Sequence, residues 1–95
     1  MEVVCAAEVQ ASRAYSRAVA SVSRQLGWAD DDVRREKLAE HLLESRGLDG
    51  SARGNKALAA VEQMHGTGLS YEDKSVVVVA VLGLRLADLA AGRGM

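Results

Sequence analysis

This sequence predicts an all-α fold, a small bundle of about four helices with a valine-rich C-terminal helix as its central element. Three observations carry the prediction. The chain has no proline to interrupt a helix, and its nine glycines supply the strong breaks. Between glycine clusters, apolar residues recur at the three- and four-residue spacing of a helix face. No second segment alternates with period two, so an isolated strand would leave its backbone donors and acceptors unpaired.

The first helix is expected from about Val3 to Leu26. Val4, Ala7, Ala11, Ala14, Tyr15, Ala18, Val22 and Leu26 share one side of it, and alanine lets a partner helix sit close. Gly27 ends it, with Trp28 at the corner. The second follows Asp30-Asp31-Asp32, whose carboxylates suit free N–H groups and the positive end of the dipole. It runs to about Arg46, with Gly47 as its stop. Its apolar side, Leu38, Ala39, Leu42 and Leu43, is narrow, and Glu36, Glu40 and Glu44 form an acidic ridge.

The stretch GLDGSARGN, Gly47 to Asn55, has the composition of a loop. Ser51 or Asn55 is expected to cap the third helix, which continues through Leu58, Val61 and Met64 to His65. Gly66-Thr67-Gly68 breaks it. The fourth starts at Ser70-Tyr71-Glu72-Asp73, where a serine followed three residues later by an acid resembles a capping box. It then enters SVVVVAVLGL, Ser75 to Leu84, and Leu82, Leu86 and Leu89 continue at helical spacing.

Four consecutive valines favour a strand locally. Valine costs a helix only about a few tenths of a kcal/mol relative to alanine. Burying each valine contributes roughly 1.5 to 3 kcal/mol. Tertiary packing therefore decides, and the run is read as helix, the alternative for Val76–Leu84 being a strand paired between chains. The run is too short to span a bilayer and is bounded by Asp73, Lys74, Arg85 and Asp88.

Ninety-five residues make one domain, 1–95, with 48% hydrophobic and 26% charged residues, a globular composition. A net charge of −1 gives no whole-domain basic excess for nucleic acid. The single cysteine, Cys5, cannot form an intramolecular disulfide, and no basic, apolar leader opens the chain. A cytoplasmic protein is expected, with no membrane association.

The functional expectation is a protein–protein interaction module without enzymatic activity or cofactor: an adaptor, inhibitor or regulatory subunit. A helix apolar all round must be covered all round. The other helices have small or narrow apolar faces, so a partner, expected to be a second copy in a homodimer, is assigned to the fourth. Val77, Val81 and Leu84 are the expected partner contacts.

Two rival readings come from other classes. Arg13, Arg17 and Arg24 line one side of the first helix and suit phosphates, which suggests a DNA- or RNA-binding regulator. Glu62 and His65 form an E-x-x-H, the spacing of metal-binding bundles, and a dimer would supply two for a metal-dependent enzyme.

Overall fold

The structure, a computed structural model, describes residues 6–90, with side chains from Arg13 onward. Four helices fill it: α1 (Ala6–Leu26), α2 (Asp32–Glu44), α3 (Gly50–His65) and α4 (Tyr71–Ala90). No strand occurs among the described residues, and the valine run lies wholly inside α4. Val3, Val4 and Cys5 lie outside the described residues.

The helices pack around a square: α1 against α4 and α2, and α3 against α4 and α2. The valine-rich helix thus sits between α1 and α3, and the α1–α4 seam is the most extensive. Small side chains permit this approach. Ala18, Val19 and Val22 of α1 meet Val77, Val81 and Leu84 of α4 in one buried cluster with Trp28, Leu38, Leu42 and Val61. With no phenylalanine in the chain, Trp28 is the largest fully buried side chain among the described residues, and it sits at the α1–α2 corner.

The helix ends follow from local chemistry. The Asp31 carboxylate caps α2 by accepting from the Arg34 N–H at 3.1 Å. Ser70 and Asp73 form the reciprocal box that their spacing predicts. Ser70 Oγ accepts from the Asp73 N–H at 3.1 Å, and Asp73 Oδ2 accepts from the Ser70 N–H at 3.2 Å. Gly66 ends α3 at φ 82°, a left-handed backbone that favours glycine.

The start of α3 differs from expectation. Neither Ser51 nor Asn55 is its cap. Asp49 is, its carboxylate accepting from the Ala52 N–H at 2.9 Å, and most of GLDGSARGN is helical. Two glycines inside a helix oppose this by about 1 kcal/mol each. The Asp49 cap and burial of Arg53 and Ala57 outweigh them. A Cβ at Gly50 would meet only the Arg85 guanidinium, the mobile end of an exposed side chain. A Cβ at Gly54 meets nothing within 4 Å. Gly54→Ala is therefore expected to raise stability by about 1 kcal/mol, read as a higher urea midpoint at unchanged slope. A lower midpoint would show that the glycine is needed.

Candidate functional site

Two features stand out from the helical frame: a buried polar cluster where the four helices meet, and an uncovered aliphatic stripe along α4.

The cluster is built from Tyr15 of α1, Ser45 and Arg46 after α2, Arg53 of α3 and Asp88 of α4. Arg53 and Asp88 are each 2% exposed. Arg53 Nη1 donates to Asp88 Oδ2 at 3.0 Å, and the Tyr15 hydroxyl donates to the same oxygen at 2.8 Å. That hydroxyl accepts in turn from Arg53 Nη2 and from Arg46 Nε. Arg53 Nε donates to Ser45 Oγ at 3.2 Å, and the Ser45 hydroxyl donates to the Leu42 carbonyl at 2.8 Å. Asp88 Oδ1 accepts no hydrogen bond from a described residue, and Arg46 Nε lies 3.9 Å from it. The hydrogen bond from Arg46 to Tyr15 holds the Arg46 guanidinium pKa above its usual value.

Tyr15 and one Arg53 nitrogen both donate to Asp88 Oδ2, which commits that oxygen inside the bundle, while the other Arg53 donors go to Tyr15 and Ser45. A cavity of about 220 Å³ between the α2–α3 turn and the end of α4 is bordered by Arg53, Arg85 and Asp88. The arrangement is that of a polar lock inside the bundle.

The sequence signals for this lock were weak but real. Asp88 falls on the Val77–Val81–Leu84 side of α4, at core spacing. Tyr15 sits in the apolar stripe of α1 with a hydroxyl that needs a partner once buried. Arg53 is hidden by its glycine-rich surroundings, which read as loop.

The stripe lies on the opposite side of α4. Val79 is 66% exposed, Leu82 51% and Leu86 69%, with Val78 and Leu89 beside them and Tyr71 at the N-terminal end. At about 100° per residue these six side chains fall within roughly a third of the helix circumference. From Tyr71 to Leu89 they extend about 27 Å. Along its α1 side runs a groove of about 260 Å³. Ala14, Arg17 and Ala18 of α1 and Val79, Ala80 and Gly83 of α4 line it. A Cβ at Gly83 would meet nothing within 4 Å, so the groove is open there.

The three expected partner contacts are not on this stripe. Val77, Val81 and Leu84 are 2%, 3% and 0% exposed and bind the chain's own α1 and α3. The correction is a rotation of about half a turn around α4. The all-round apolar pattern holds two faces: the tighter one belongs to the bundle, and the looser one remains outside.

The other expected residues are placed separately. Arg13, Arg17 and Arg24 are all exposed on one side of α1, and Arg17 forms a wall of the groove. Glu62 is exposed, while His65 turns its ring toward Trp28, the centroids 6.1 Å apart. No group of three or more His, Cys, Asp or Glu able to hold a metal occurs among the described residues. Nor is any described helix long and apolar enough to cross a membrane.

Among the described residues, the fold and this surface define a small four-helix domain with an exposed aliphatic face. Comparison with protein families, curated proteins and solved structures gives no match.

Proposed function

We propose that this protein acts by holding another protein, as an adaptor, inhibitor or regulatory subunit, and that it carries out no chemistry of its own. The observation that supports this is the stripe of Val79, Leu82 and Leu86, each at least half exposed on a helix whose other side is already buried. Large apolar side chains gathered on one face of a small domain mark interaction surfaces. Burial of such a face drives association, and flanking charges set register and partner choice. The partner is a polypeptide, either a different chain or a second copy of this one.

A photo-crosslinking residue at position 86, compared with one at Lys56 on the exposed side of α3, tests the reading in the native cell. Discrete protein adducts are expected from position 86 and not from position 56. Equal labelling at both sites, or none at 86, would remove the stripe as a docking surface. Crosslinks from position 86 to nucleic acid would instead support the arginine reading.

A further inference from the structure

Charge around the α4 stripe identifies the kind of chain that fits it, on the premise that the stripe is a docking surface. Both margins carry exposed basic side chains, against one exposed acid of α4, Glu72. On the α1 side Arg17 lines the groove, and Arg13 and Arg24 are exposed on the same helical face, at spacings of four and seven. On the α3 side stand Lys74 and Arg85, also exposed. Among the described residues of α4 the acids are Glu72 and Asp73 in the first turn and Asp88 in the core. Glu72 is exposed, and Asp73 is engaged by Gln25 of α1, whose amide donates to it at 2.9 Å. The protein's acidic side is elsewhere, on α2, where Glu36, Glu40 and Glu44 are exposed.

This distribution opposes self-pairing through the stripe. A two-fold contact sets the same patch against itself. Two basic margins would then meet two basic margins, and like charges placed together at an interface are disfavoured. A flat lipid surface is also a poor match, because the concave groove beside Gly83 would stay unfilled. A helix supplies what both features ask for: apolar side chains at three- and four-residue spacing for the stripe and groove, with acids on its flanks for the arginines.

We infer that the α1–α4 face receives an acidic amphipathic helix of about five turns from a different protein, its leucine-type seam along Val79, Leu82 and Leu86 and its carboxylates against Arg17 and Arg24.

The test uses the intact protein and two synthetic helical peptides with one shared leucine seam. One carries glutamates on both flanks and the other lysines. Fluorescence anisotropy is expected to show the acidic peptide binding at least about tenfold more tightly at low salt, the gap closing as salt rises and screening sets in. The exposed double replacement Arg17→Glu with Arg24→Glu should leave the helical circular dichroism unchanged and remove most of the preference. Leu86→Glu should abolish binding of both peptides. Equal binding, a preference for lysine, or no binding of either peptide would each overturn the inference. So would light scattering that shows a dimer broken by Leu86→Glu, or anionic vesicles that bind the protein and are not displaced by the acidic peptide. Protein crosslinks from position 86 in the cell, with failure of the acidic peptide, would overturn the acidic-helix assignment alone and leave the docking surface standing.

Discussion

Replacing Arg53 with methionine is expected to destabilise the protein by about 3 to 5 kcal/mol, because it strips the buried Asp88 carboxylate of its hydrogen-bonded guanidinium and leaves Arg46 at 3.9 Å as the remaining cation. A domain of this size has roughly 5 to 14 kcal/mol of stability in total, so a large share would go. Methionine keeps most of the side-chain length, which isolates the charge from the packing. A second variant separates pairing from polarity. Arg53→Met combined with Asp88→Leu removes both charges and should recover much of the loss, since buried ion pairs often exchange for apolar residues at little net cost. Urea unfolding of the two variants measures both effects. A loss below about 1 kcal/mol for Arg53→Met would mean that the pair is solvated and that the lock does not operate.

The second large effect contrasts two leucines two positions apart on α4. Leu84 is 0% exposed and Leu86 is 69% exposed. Leu84→Ala deletes methyl groups from the meeting point of α1, α3 and α4, and should cost about 3 to 5 kcal/mol, the transfer energy plus an unfilled cavity. Leu86→Ala should shift stability by no more than about 0.5 kcal/mol, as surface changes do. Denaturant midpoints at equal slope read both directly. Comparable losses from the two would mean that Leu86 is buried in the free protein, and the assignment of the stripe as a vacant docking face would fail.

Much of the fold was legible in the sequence. The number of helices, the breaks at Gly27 and Gly66, the aspartate cap before α2 and the Ser70–Asp73 box rest on short-range rules, and short-range rules are what a sequence displays. The valine run was decided by the same logic, since propensity is worth tenths of a kcal/mol and burial is worth whole ones. What sequence reasoning misplaced was rotation. Around α4 nearly every position is apolar, so periodicity could not tell the Val77–Val81–Leu84 side from the Val79–Leu82–Leu86 side. Only the positions of α1 and α3 decide between them. The polar lock was hidden for a different reason. Its members lie far apart in the chain, Tyr15 and Asp88 being 73 residues apart, and each reads locally as something ordinary. Arg53 also stood in a glycine-rich stretch that composition assigns to loop, until Asp49 is recognised as the cap that begins a helix there.

The core of valine, alanine and leucine raises a problem of uniqueness. Such side chains are nearly interchangeable, and a helix could slide one turn, about 5.4 Å, along a neighbour and still bury similar area. Tyr15, Arg53 and Asp88 do not slide. Each comes from a different helix, joined by Ser45 and Arg46 at the end of α2, and each finds its partners in only one alignment. A register slip of any helix would strand a charge in the interior. The cluster therefore acts as an indexing pin for the bundle: the aliphatic seams supply cohesion, and five polar side chains specify which of several similar packings is occupied. Its influence should reach the surface. The width of the groove beside Gly83 depends on how α4 is seated against α1, and Tyr15 and Asp88 are the hydrogen-bonded pair that joins those two helices in the interior. Loosening the pin would blur the shape that a docking partner meets, without touching any residue of the docking face.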